Sequence, residues 1–280
     1  MSGDPGYFGP NSMMWKVNKE ITVLFGGARA LLMHAAHPLI AAGARQTSFY
    51  QRDPWKRLIR TLSLQNSVTF GTKEEANDSA NRINKLHEVI KGTDNITGDI
   101  YDALDHEQLL WVHACLQISS IYFYEKTVKK LSDEEKDIYH RENMVAAGLV
   151  LIKVDEMPQS HEELKQWVIK KSQSKDYLII TDVAKDVQNI IAGGPVPTHI
   201  KPIWPFIAFT AFNTLPKEFK ELYGVSESKI KDVILKFNLN FLKYTRPFLP
   251  PFFRLIPPAR WARQRIKSKP NLLFKDKTKF

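Results

Sequence analysis

Helix-start signals recur along this chain so regularly that a helical fold is the only economical reading. Asp53-Pro54 places a capping side chain before a proline at a first helical position. Thr72 with Glu75, Asp105 with Gln108, Ser132 with Glu135 and Ser160 with Glu163 have capping-box spacing or close to it. Apolar residues at helical intervals follow each pair. Gly71 and Gly92 stand where helix ends are expected. Tyr177–Thr181 is the best strand candidate, and it is short. The expectation is an all-α chain with helices over about 12–34, 37–50, 54–70, 73–90, 105–130, 133–152, 161–172, 182–192, 203–213, 216–222, 228–245 and 257–267.

Length and composition suit one globular multi-helix domain. The chain has 280 residues, of which 43% are hydrophobic and 25% charged, an ordinary globular balance with enough apolar mass for a sizeable core. The Gly193-Gly194-Pro195-Val196-Pro197 segment is the most linker-like, but Trp204, Phe206, Phe209 and Phe212 beyond it need a partner to bury them. The expected organisation is one domain over 1–265 and a basic tail over 266–280. Cys115 stands alone, which excludes an internal disulfide and a cysteine-built metal centre. No apolar run behind basic residues opens the sequence, so a cytoplasmic setting is expected. The longest uncharged stretch, Pro202 to Pro216, falls short of the roughly 20 residues of a spanning helix.

The net charge is +10, and eight Lys/Arg lie between Arg260 and Phe280 against Asp276 alone. This end carries no nucleic-acid module, so no nucleic acid partner is expected. Phe248, Phe252, Phe253 and Trp261 beside the cations suit a peripheral contact with an anionic membrane, while a solvated tail is the plainer reading.

Four segments hold residues able to do chemistry. His113, in Trp111-Val112-His113-Ala114, sits early in the longest helix on a mainly apolar stripe. Such an imidazole is either a core histidine with backbone partners or an axial ligand for haem iron. Arg57 and Thr61 lie four apart, one turn along the same face, where a guanidinium and a hydroxyl could bind a propionate or an oxygen-derived ligand; Arg60 borders them. His87 ends a helix, where it could instead answer terminal carbonyls. His34 and His37 stand three apart, but Pro38 disfavours helical backbone at His37 and makes a shared metal site a poor reading. Paired Glu-x-x-His motifs, His-Glu-x-x-His and a glycine-rich phosphate loop after a strand are all missing, which removes di-iron, metalloprotease and nucleotide-binding classes.

In order along the chain stand Gly6-Tyr7-Phe8-Gly9-Pro10, Gly27-Ala28-Arg29-Ala30-Leu31-Leu32, Ala36-His37-Pro38 and Asp53-Pro54-Trp55 with Arg57 and Thr61. Phe70-Gly71, His87 with Gly92, Tyr101-Asp102-Ala103, Trp111-Val112-His113-Ala114, Leu215-Pro216 and Pro257-Pro258-Ala259-Arg260 follow. This ordered set resembles the family that joins latex-clearing proteins to mycophenolate-pathway oxygenases. The resemblance implies an all-helical, partly globin-like fold that binds haem b and uses dioxygen on a hydrophobic, isoprenoid or lipid-like small molecule. It implies His113 as the proximal iron ligand, Arg57 and Thr61 on the distal side with Arg60 beside them, and His87, Arg29 and His37 as further cofactor-binding residues. The alternative is a non-catalytic haem- or lipid-binding protein. Two positions depart from the latex-clearing pattern. Arg60 replaces a lysine, and arginine offers no lone pair to iron. Ala41 to Ser48, where an acid/base glutamate is expected, contains no acid.

Overall fold

A computed structural model describes residues 3–47, 54–174 and 176–267, the side chains of 54–59 excepted. Fourteen helices among these residues run α1 Met13–Asn18, α2 Phe25–Ala35, α3 Pro38–Thr47, α4 Pro54–Phe70, α5 Lys73–His87, α6 His106–Thr127 and α7 Asp133–Leu149. Then come α8 His161–Ser172, α9 Asp182–Gly193, α10 Trp204–Asn213, α11 Lys217–Leu222, α12 Lys229–Thr245, α13 Pro251–Arg254 and α14 Pro257–Lys267. The chain is an all-α domain, as the sequence implies.

Local chemistry sets the helix starts. Thr72 and Ser132 each accept from the backbone N–H three residues on, while Glu75 and Glu135 reach back to the cap N–H, so both capping boxes close. Asp105 caps α6 through Gln108 N–H at 2.9 Å, and Ser160 caps α8 through Glu163 N–H at 3.2 Å. The Asp53 cap lies outside the described residues.

The 22-residue α6 is the axle of the fold, packed along α2 and flanked by α7, α8 and α12. Trp111, Ala114 and Cys115 on it are fully buried and join Leu32, Met33, Leu164, Ala211 and Phe219 in the main core. A second cluster brings Val68 of α4 against Ile121 and Tyr124 of α6, and a third sets Phe70 edge-on to Trp15 at 4.9 Å beside Ala259 and Ala262 of α14. The N-terminal and C-terminal helices thus clamp the end of α4.

Three expectations fail, each for a tertiary reason. The helix expected over 12–34 is two helices split by a 3-10 turn at Ile21–Leu24. Within the split, Glu20 is 1% exposed and takes a bidentate pair of bonds from Arg246, at 2.9 and 2.7 Å, while Lys19 carbonyl accepts from Ile256. A few intrahelical bonds at about 1 kcal/mol each are a smaller matter than a stranded buried carboxylate at roughly 3–5 kcal/mol. Tyr177–Thr181 is irregular, not a strand; Ile179 N–H bonds the Ala36 carbonyl alone in that direction. Gly92 does not end a helix, because α5 stops at His87 and Gly92 enters a two-stranded antiparallel hairpin, β1 Lys91–Thr93 with β2 Ile100–Asp102. A Cβ at Gly92 would stand 2.7 Å from the Tyr101 hydroxyl, so the close strand pair requires glycine there.

Candidate functional site

The residues singled out in the sequence distribute around α6. At its N-terminal end, His37 is 5% exposed and packs edge-on to Tyr177, ring centroids 4.7 Å apart, and at 6.2 Å from Trp111. Burial pushes its pKa down to about 4, and its Nδ1 has no partner. A cleft of about 490 Å³ opens there, lined by His37, Glu107, Tyr177 and Ile179 among others, with Lys171 bonded to Glu107 at 2.6 Å behind it.

His113 points the other way. Two residues apart on a helix means about 200° of rotation, so Trp111 and His113 lie on opposite faces of α6. One flat macrocycle therefore cannot take His37 and His113 as its two axial ligands. His113 leans on α7, where the Asn143 carbonyl accepts from its ring, and burial, with His140 nearby, lowers its pKa to about 4. Its Nε2 has no protein partner and essentially no accessible surface. The free lone pair and carbonyl-held ring are ligand-like, yet no water-sized space adjoins the nitrogen that would bind.

One turn on, Gln117 bonds His140 Nδ1 at 2.9 Å, and His140 Nε2 meets the Pro158 carbonyl at 2.8 Å. His161 beside them has an unpartnered Nδ1 and a pKa lowered to about 4, burial first and Lys136 second. Sequence spacing gives no signal for His140 and His161, because their shared seam exists only once α6, α7 and α8 pack. Among the described residues, no three His, Cys, Asp or Glu side chains gather closely enough to hold a bare ion.

The third neighbourhood is the α4–α5 hairpin. Leu64 and Val68 of α4 face the cluster containing Ile121, Ala146 and Leu149. Thr61 and Arg57 hold the preceding positions of the same stripe, three and seven residues before Leu64. Thr61 and Arg60 are exposed, so the inward stripe of α4 runs from packed core to open surface along one helix. Arg57's side chain lies outside those described. After two connecting residues α5 packs back along α4. Arg57 is 13 residues before the end of α4 and His87 is 14 after the start of α5. At about 1.5 Å per residue both lie roughly 20 Å from the connection, at one height.

His87 is partly buried; burial alone lowers its pKa, and of its ring nitrogens only Nδ1 is enclosed and unpartnered. Leu86 and Val89 around it are 50% and 65% exposed, an uncovered apolar rim. Asn84, one turn earlier, bonds the Leu149 carbonyl at 2.9 Å. Asn84 of α5 and His113 of α6 thus meet the same half of α7, whose Asn143 and Leu149 are about 9 Å apart along its axis.

Arg29 is 4% exposed in α2 and binds the Thr214 carbonyl at 3.0 Å and Ser119 Oγ at 2.6 Å, with its guanidinium 5.1 Å from the Tyr122 ring. Among the described residues no carboxylate pairs with it, and burial lowers its pKa to about 10. It sits against a different stretch of α6 from His37 and His113.

No curated protein and no solved structure gives a significant match. The family model described as ER-bound oxygenase mpaB/B'/Rubber oxygenase, catalytic domain, matches residues 15–243. With most of its length inside that match, the chain belongs to this family of oxygenase catalytic domains.

Proposed function

We propose that this oxygenase-family domain is a haem b enzyme acting on a hydrophobic small molecule, isoprenoid or lipid-like, with His87 as the imidazole for iron and Arg57 and Thr61 across from it. The carrying observation is the α4–α5 hairpin. It sets a histidine whose Nδ1 has no partner among the described residues at the height of the Arg57 position, beside exposed Leu86 and Val89. Burial keeps the His87 imidazole neutral and its lone pair available at neutral pH. Haem, when bound, supplies the dioxygen chemistry.

The chain's own contribution is binding and polarity. The hydroxyl of Thr61 is a donor to oxygen atoms on the α4 side, and Arg57, one turn earlier on that helix, would add a guanidinium. Leu86 and Val89 give an apolar wall for cofactor and substrate. Arg60, a donor without a lone pair, would not itself ligate iron. The stretch Ala41 to Thr47 places alanines and Arg45 where an acid would be needed for rubber-type cleavage, so the substrate reaction differs from that chemistry.

A second reading keeps iron on His113, favoured by its ring bond to the Asn143 carbonyl. That reading requires α6 and α7 to open at Nε2 before a macrocycle can approach. Activity tests the function directly. Haem-loaded protein consumes oxygen with an unsaturated isoprenoid, and Thr61→Val lowers the rate about tenfold or more while haem stays bound. Haem-loaded wild type that consumes no oxygen with any unsaturated chain would overturn the enzymatic half.

A further inference from the structure

The C-terminal helices carry an apolar surface that the oxygenase reading does not use. On α12, Leu235, Leu239 and Leu242 face inward toward α6 and α10. The opposite side of the same helix is apolar too: Ile230, Ile234, Phe237, Phe241 and Tyr244 follow at intervals of three and four and are exposed. Phe237 and Phe241 stack on each other at 6.4 Å, forming a ridge in open solvent. The chain continues through Phe248, 87% exposed, to Phe252, Phe253 and Trp261, all exposed as well. Singly exposed apolar residues are ordinary, but a run this long along one helix and its extension marks an interaction surface.

Charge decides what covers it. Between Lys229 and Lys267 there are ten Lys/Arg and one acid, Asp232. Arg246 is committed to Glu20 and Arg265 to Glu75. Lys236 and Lys243 fall on one side of the helix, between the ridge and the inward leucines, and Arg260 lies over the Phe252 ring at 4.3 Å. A second copy would bring this cationic face against itself, which like charges oppose. A surface both apolar and anionic fits it, and an acidic lipid bilayer offers both. Among the described residues no single helix is long and apolar enough to cross a membrane.

We infer that the outer face of α12 and the aromatic segment after it dock the domain onto an anionic bilayer, the aromatic ridge inserted at the headgroup level and the lysines and arginines on its phosphates. Such a surface would hold the enzyme where hydrophobic substrates partition, but its existence does not depend on the haem assignment.

Flotation of the full chain with phosphatidylcholine vesicles, alone or mixed with phosphatidylglycerol, tests this. The chain should float with the mixed vesicles, release as salt is raised, and show a blue shift of tryptophan emission from Trp261. Phe237→Ser with Phe241→Ser should weaken partition by about tenfold or more, and Lys236→Glu with Lys243→Glu should abolish the preference for anionic vesicles. Phe237, Phe241 and Lys236 are exposed and Lys243 is half-buried, and thermal melts of the variants should match wild type. Absence of flotation with either vesicle overturns the inference. So does unchanged partition in the serine variant, or a dimer in solution that the serine changes dissociate and that anionic vesicles do not.

Discussion

The histidines show what burial does to one side chain. His37, His113 and His161 are held neutral, each with a pKa near 4 against an ordinary value of 6.5, and burial is the largest cause in every case. Their folded values lie below their unfolded ones, so the unfolded chain binds more protons between those limits. Stability is therefore complete above about pH 6.5 and drains away as pH falls toward 4. Urea midpoints measured down this range should fall, and His113→Gln should flatten part of the slope; a midpoint that rises as pH drops would contradict the burial argument. Arg29 makes the complementary case. Arg29→Ala leaves Ser119 Oγ and the Thr214 carbonyl without their donor, and should lower unfolding free energy by about 2–4 kcal/mol by denaturant titration. A loss below 1 kcal/mol would mean water readily replaces the guanidinium.

At the scale of elements, helices were legible wherever the signal is local. Thr72/Glu75 and Ser132/Glu135 close their boxes within four residues, so their starts could be read directly, and Thr72→Ala should cost about 1 kcal/mol in a thermal or urea melt. Features that depend on distant partners were not legible. Nothing near Glu20 signals a helix break, because the cause is Arg246, 226 residues away. Arg246→Met should strand that carboxylate and lower stability by about 3–5 kcal/mol, with Glu20→Gln in the same chain recovering part of it; an additive double variant would argue against the pair. The hairpin at 91–102 was missed because three-residue strands carry no periodicity, although the turn cue was present: Asp94 takes Thr97 N–H at 3.0 Å and Gly98 adopts φ +78°.

For the whole molecule, the candidate site was legible as residue types and not as an arrangement. Sequence order brings Arg57, Thr61, His87 and His113 into view together, and periodicity places each on a helix. Which imidazole has space beside it depends on how α4 folds back on α5 and how tightly α6 meets α7. The enclosure of His113 Nε2 and the open rim at His87 shift the proposed ligand from one helix to another within the same family framework. Under the two proposals the molecule has two working regions, the α4–α5 hairpin for a cofactor and the cationic aromatic face at the C-terminal end for a membrane.

Titration of the purified chain with haem, followed by absorption in oxidised and reduced states, tests the central claim most directly. Wild type and His113→Ala should each develop a Soret band with the signature of imidazole ligation, and His87→Ala should lose that signature, regaining it in part with added imidazole. No Soret band in wild type, or loss of ligation in His113→Ala with His87→Ala unchanged, would contradict the account.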